Sequence, residues 1–320
     1  MTDPEIKKQN HISFCMPAYN SAQTVAESVE SIMTGNFETG DEIIIIDDGS
    51  TDNTLRVLEK LKEKYPVIQI IVSKENLGCP AARNVAYAQA KYPLIFTLYS
   101  DDVLAPGSIT PLKTYMIAEE ADMAGFEKYY YFQKSVNGKK HITHKRICRP
   151  GVLSFADFLA GDINPGPGGN YMFKRALWQE VGGVWEYGKG MHEAWGFTLK
   201  CLAHGAKFVV LPHSFYYHRY GTDSLFMRES KKENEVSLMA TKMITPYLDL
   251  LDQRDATYIK SEEGGKSWYG MINRAPIRLK NGLLGKTGYT VIPLPEKLKR
   301  VFVRFARKHP KILALFLKKI

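Results

Sequence analysis

The sequence predicts an α/β protein: a mixed, mostly parallel sheet flanked by helices on both faces, followed by a helical C-terminal extension. Three observations carry this. Short apolar runs alternate with helical stretches from residue 11 to about residue 100, the pattern of a sheet with crossover helices. Ile43-Ile44-Ile45-Ile46 is an unbroken isoleucine run, as expected of a strand buried on both faces. The chain has 320 residues, 44% hydrophobic and 24% charged, which gives room for one large core or two smaller ones. Disorder, collagen-like repeats and a disulfide-stapled miniprotein are excluded by the same composition.

Ile12 to Met16 reads as the first strand, ended by Pro17. Ser21 to Met33 follows as a helix, with Val25, Val29, Ile32 and Met33 at helical spacing and Asn20 or Ser21 as its cap. Glu42 to Ile46 is the second strand, and Thr51 to Lys64 a helix with Leu55, Leu58 and Leu61 inward. Ile68 to Val72, a helix from Ala81 to Ala90 and a strand from Leu94 to Leu98 complete a doubly wound half. The alternation then loosens: a helix over Gly107 to Glu120, a strand over Ala124 to Gln133, and a polar hairpin over Val136 to Arg146 turning at Asn137-Gly138. Asn164 to Gly169 is a loop by its prolines and glycines. A strand (Asn170 to Lys174), a helix (Ala176 to Val181), a glycine-rich loop (Gly182 to Gly190), a helix (Glu193 to His204) and a strand (Phe208 to Leu211) come next. Beyond Asp223 the chain turns polar and helical, so a boundary is set near residue 225. Residues 1–225 form the α/β unit, with halves at about 11–102 and 103–225, and 226–320 the helical region.

Cys15, Cys79, Cys148 and Cys201 lie far apart with no CxxC pair, which points to reduced thiols rather than a zinc knuckle or disulfide framework. No apolar run approaches the ~18 residues a spanning helix needs, and MTDPEIKKQN has no apolar stretch after its lysines. A cytoplasmic setting is the expectation.

Open α/β sheets bind ligands at the carboxyl ends of their strands. The segments there are Pro17-Ala18-Tyr19-Asn20, Asp47-Asp48-Gly49-Ser50, Asn76-Leu77-Gly78 and Tyr99-Ser100-Asp101-Asp102. Each could be no more than capping and turn chemistry. Two Asp-Asp pairs on one edge, however, repel unless a cation or ligand donors stand between them. No GxGxxG or GxxxxGK[ST] follows the first strand, which argues against a dinucleotide fold or a P-loop.

In order and spacing, PAYN, IDDGSTDNT, NLGCPAARN and SDD, then more weakly GGNYMFKRALWQEVGG and the HEAW stretch, resemble family 2 glycosyltransferases, inverting enzymes of the GT-A fold. The resemblance implies a nucleotide-sugar site of Pro17, Tyr19, Asn20, Asp47, Asp48, Asn76, Gly78, Arg83, Ser100 and Asp101, the donor being UDP-linked. Tyr19 would stack on the base, Asp48 accept from base or ribose, and Arg83 sit near the diphosphate. Asp101 and Asp102, with His218 as a further ligand, would hold Mn²⁺ or Mg²⁺. Gly169, Asn170, His192 and Trp195 would lie on the acceptor side.

Two departures stand out. Tyr99 replaces the first acid of the family's Asp-x-Asp metal motif, and Ala194 stands where the family places its catalytic Asp. Glu193 is the nearest replacement base, with Glu186 and His192 as others; a helix-start acid that only offsets the dipole is the plain alternative.

Residues 294 to 320 hold nine basic residues and one acid, while the rest of the chain, of total charge +9, is nearly balanced. Leu298, Val301, Phe302 and Phe305 fall on one face of a helix, and Lys297, Arg300, Arg304, Arg307 and Lys308 on the other. Segregated aromatics fit an anionic membrane surface better than nucleic acid. The expectation is an inverting glycosyltransferase, peripheral at the inner face of the cell membrane, acting on a glycan or lipid-linked acceptor in surface polysaccharide synthesis. A silent nucleotide-sugar-binding relative and a nucleotidyltransferase are the alternatives.

Overall fold

The computed structural model describes residues 11–136, 139–161, 169–187, 193–220, 233–272 and 275–285. The Asn137-Gly138 turn, most of the 164–169 loop, His192 and the basic tail lie outside them. The strands are β1 (Ile12–Ala18), β2 (Glu42–Asp47), β3 (Ile68–Val72), β4 (Leu94–Thr97), β5 (Val103–Leu104), β6 (Met123–Val136), β7 (Lys139–Ile147), β8 (Gly151–Leu153), β9 (Met172–Lys174) and β10 (Phe208–Arg219). The helices are α1 (Val25–Met33), α2 (Thr54–Lys64), α3 (Cys79–Gln89), α4 (Ile109–Ala118), α5 (Phe155–Phe158), α6 (Arg175–Glu180), α7 (Glu193–Ala203), α8 (Glu233–Ile244), α9 (Gln253–Lys260) and α10 (Glu262–Met271).

The ten strands form one sheet in the order β3-β2-β1-β4-β9-β6-β10-β5, with β7 on β6 and β8 on β10. β1 to β4 pair in parallel, as do β6 and β10, while β9 runs antiparallel between β4 and β6. This is the expected α/β class. The isoleucine run shows why both faces must be covered. Ile43 and Ile45 point into a core lined by α1, α2 and α4, and Ile44 and Ile46 into one lined by α3, α7 and the C-terminal helices. All four are essentially inaccessible, so none could be polar without an unpaired buried group.

Several boundaries differ from the expected ones. β1 runs through Pro17 to Ala18, pairing Pro17 with Ile46. β4 pairs with β1 only as far as Cys15, so Pro17 sits where β1 has one neighbour and its missing N–H breaks no ladder on the other side. α3 starts at Cys79-Pro80, with proline in the first turn where its N–H would be unpaired in any case. The expected strand ending at Leu211 is too short: β10 continues to Arg219 through a register shift between Leu211 and Phe215. His213, at φ 60, absorbs the irregularity. Pro212 therefore makes a bulge rather than an end. β5, β8 and α5 were not anticipated at all.

Candidate functional site

The carboxyl ends of β1, β2 and β4 lie side by side, and the loops after them supply the polar groups. Tyr19 is 46% exposed, its ring open to stacking. Asn20, at φ 50, uses its side-chain carbonyl to accept from the Thr51 and Asp52 amides, so it organises the β2–α2 loop. Asp47 accepts from the Ser50 amide at 3.1 Å. Asp48 takes the amides of Leu77 and Gly78 at 2.8 and 3.0 Å, tying the end of β2 to the loop that opens α3. Gly49 (φ +68) lets these loops touch: a Cβ there would lie 2.6 Å from the Glu75 carbonyl carbon. Both acids are buried and structurally engaged, leaving only their remaining lone pairs for a ligand.

The Ser100-Asp101-Asp102 corner follows β4. The Ser100 hydroxyl bonds that of Ser21 at 2.7 Å, and the two β-strand-end loops are thus locked together. Asp102 is fully buried and accepts from the Arg219 amide at 2.8 Å, from His218 Nδ1 at 2.9 Å and from the Asn170 amide. Burial, and then the charge of Asp102, push the Asp101 carboxyl up to about 7. Burial alone would lower the His218 imidazole, but the charge and hydrogen bond of Asp102 raise it above its ordinary value. Arg219 closes the corner: its Nε donates to the Asp101 carbonyl at 2.9 Å and its Nη2 pairs with Glu27. Arg219 was not singled out from the sequence, and the HR pair in YYHRY was its only signal. Among the described residues no group of three or more His, Cys, Asp or Glu is arranged to hold a metal ion.

Behind this corner two positions depart from expectation. Arg83 was expected near the diphosphate at an open helix start, yet it is 0% exposed. Its Nε donates to the Tyr87 hydroxyl at 2.8 Å, and Nη1 and Nη2 find no hydrogen-bond acceptor among the described residues. They lie under Gly169 (φ +90), where a Cβ would sit 3.1 Å from both and 3.3 Å from the Ala194 Cβ. The helix buries this face against α7, which is why the side chain points inward. Trp195, expected on the acceptor side, is 2% exposed and packs on Phe158, Trp268 and Tyr269. It joins α7 to the C-terminal helices and belongs to the core.

Glu193 opens α7 and is 7% exposed. Its Oε1 accepts from the Tyr99 hydroxyl at 2.7 Å, and the Cys79 thiol lies 3.6 Å from the same oxygen and 3.4 Å from that hydroxyl. Burial, then the charge of Glu193, hold the Cys79 thiol well above its ordinary value, so it is a weak donor and no nucleophile. Asn170 binds the Tyr99 amide at 3.0 Å as well as Asp102, joining the two halves of the site. Glu186, the other named acid, accepts instead from Asn84 at 2.8 Å.

The family model described as "Glycosyl transferase family 2" matches residues 13–182, more than half of the chain. An uncharacterized glycosyltransferase of Escherichia coli K12, YibD, is 29% identical over 150 residues, covering 47% of this chain and 43% of that protein. Poly(ribitol-phosphate) beta-N-acetylglucosaminyltransferase TarP of Staphylococcus aureus is 29% identical over 169 residues, covering 52% and 49%. The chain thus spans less than half the length of these relatives. Among solved structures, S. aureus TarS residues 1–349 in complex with UDP-GlcNAc superposes with a TM-score of 0.57 at 20% identity, covering 79% of this chain and 71% of that one. At that identity the likeness shows a shared GT-A fold.

Proposed function

The chain belongs to glycosyl transferase family 2, and we propose that it is an inverting enzyme moving a sugar from a UDP-linked donor onto a glycan or lipid-linked acceptor in surface polysaccharide synthesis. The observation that carries this is the convergence of Tyr19, the Asp47-Asp48 pair and Ser100-Asp101-Asp102 on one sheet edge, with a buried carboxylate, Glu193, bonded to the same β4 loop. The names of relatives favour polymer acceptors, and the TarS complex a uridine nucleotide. Family membership favours sugar transfer over nucleotidyl transfer.

Tyr19 offers its exposed ring to the base, and the Asp48 carboxylate, anchored by two amides, accepts from base or ribose. Asp101 and Asp102 fit Mn²⁺ or Mg²⁺: they are adjacent carboxylates, and His218 and Arg219 offset only part of the burial and of the Asp102 charge that together raise Asp101. Because three donors already occupy Asp102, Asp101 is the freer ligand, with His218 beside the pair. A divalent cation commonly takes one or two carboxylates and completes its shell from water and substrate phosphate, which suits a corner where, among the described residues, no group of three His, Cys, Asp or Glu is arranged as ligands. A cation held by Asp101 and Asp102 would supply positive charge against the departing nucleoside diphosphate. Glu193 accepts the proton of the attacking acceptor hydroxyl, leaving the displacement to proceed in one step with inversion. The basic segment 294–320 would hold the enzyme on the anionic inner face of the membrane, near a lipid-carried acceptor. No described helix is long and apolar enough to cross one.

The test is a thermal-shift titration with UDP, with and without Mn²⁺. Stabilisation should grow with saturation and depend on the metal in the parent, and Asp101→Asn should remove the metal-dependent part while leaving the unliganded midpoint in place. Asp101 is chosen because Asp102 is knitted into the fold. Equal metal-dependent shifts in parent and variant would refute the role of Asp101, and no shift with UDP at all would refute the nucleotide site.

A further inference from the structure

We propose that Tyr99 is the positioning residue for the Glu193 carboxylate, so that the two departures from the family pattern, an aromatic in place of the first metal-motif acid and alanine in place of the base, are halves of one device. The proposal rests on Glu193 being the base.

The two residues are 94 apart in sequence, and the hydroxyl–carboxylate bond between them is 2.7 Å. It joins the loop after β4 to the first turn of α7. Moving an acid from position 194 to 193 rotates it by about 100° around the helix, away from the direction the 194 side chain takes. A side chain so displaced needs a fixed partner to aim it. At 7% exposed, Glu193 is also too buried to rely on water for its hydrogen bonds. An aspartate at position 99 could not provide one, because it would add a second negative charge without a proton to donate. Tyrosine provides a long, rigid arm ending in a donor.

The arm is itself held. The Tyr99 amide donates to Asn170 at 3.0 Å, and Cys79 packs its thiol 3.4 Å from the hydroxyl. The Tyr99 hydroxyl and the Cys79 thiol both meet Glu193 at Oε1, while Oε2 bonds no described residue. One oxygen is thereby fixed and the other left to accept from a substrate hydroxyl. Neither proton on Tyr99 nor that on Cys79 needs to move during the reaction: the acceptor proton goes to Oε2, and the tyrosine remains a donor throughout. Tyr99 touches no reacting atom and acts only through Glu193.

The closing experiment measures UDP release from UDP-GlcNAc, UDP-glucose, UDP-galactose and UDP-glucuronate by the full chain, then follows whichever donor turns over. Tyr99→Phe removes one oxygen and keeps the ring. The expected result is a kcat lower by about 10-fold or more, the range usual for loss of a group that orients an active-site residue, with donor KM changed less than about twofold. Glu193→Gln alone should lose ~10²-fold or more. In the Glu193→Gln background, Tyr99→Phe should then cost nothing further, because a residue acting through another has no effect once that one is gone. An equal loss in both backgrounds, or an unchanged kcat in the single variant, would overturn the proposal. Tyr99→His, which keeps a ring donor, serves as a second variant and should recover part of the loss; if it falls below Tyr99→Phe, the donor is not what matters. A parent that releases UDP from none of the four donors overturns the transferase reading itself, an outcome distinct from all of these.

Discussion

Placing a carboxylate at position 194, where the family has one, should stabilise this protein through Arg83 more than it changes its chemistry. Arg83 is fully buried, two of its nitrogens find no partner among the described residues, and the position a Cβ on Gly169 would take lies 3.1 Å from both and 3.3 Å from the Ala194 Cβ. In Ala194→Asp the new carboxylate extends toward that guanidinium and can accept from both nitrogens. Each unsatisfied buried donor costs about 1–3 kcal/mol, more when charged. Against that stands the desolvation of the added carboxylate, several kcal/mol even after relaxation. A net gain of about 1–3 kcal/mol is expected, which at ~2.1 cal/mol/K of unfolding entropy per residue raises Tm of a 320-residue chain by roughly 1.5–4.5 °C. The pH dependence follows from linkage. The guanidinium holds the new Asp below its unfolded pKa of about 3.9, so the gain is fully present above that value and fades as pH falls through the folded one. Differential scanning calorimetry of parent and variant at pH 7 and at a series of acid pH values reads both quantities. A Tm equal to or below that of the parent, or a gain that persists undiminished in acid, would refute the argument that a carboxylate at position 194 pairs with Arg83.

Two further expectations concern more distant parts of the chain. Glu27 accepts from Ser135 at 2.7 Å, from Arg219 and from Lys140; burial raises its carboxyl, but these donors together outweigh it and hold it below the ordinary value. Since the side chain is 31% exposed and partly screened, Glu27→Gln should cost about 1 kcal/mol at neutral pH. The folded-state pKa is the lower one, so the difference in urea midpoints should shrink as pH falls through it; a constant difference would assign the effect to packing. Deleting residues 294–320 should release the protein from anionic vesicles, with full-length binding weakening as salt rises, at on the order of 1 kcal/mol per basic residue. Equal co-sedimentation of both chains would end the membrane reading.

What the sequence determined by itself was everything that local periodicity and composition control. The α/β class, the isoleucine strand split between two cores, the helices between the first four strands and the acids at the strand ends depend on residues within a few positions of one another. The tail's charge is likewise a matter of counting. Tertiary structure alone decided which of the strand-end groups meet, and with what. Pro212 reads as a stop, but the pairing of β10 with β6 carries the strand past it through a bulge, and only then do His218 and Arg219 reach Asp102. Arg83 reads as an exposed helix-start cation; α7 crosses over it and turns it into a buried charge. Trp195 reads as a binding aromatic until the C-terminal helices close over it. The bond from Tyr99 to Glu193 has no sequence signature at all, because its partners are brought together by the sheet order and helix packing, not by spacing along the chain. Periodicity records which face a residue presents, whereas the partner on that face is chosen by the path of a chain segment far along the sequence, as Arg219 is 117 residues from Asp102.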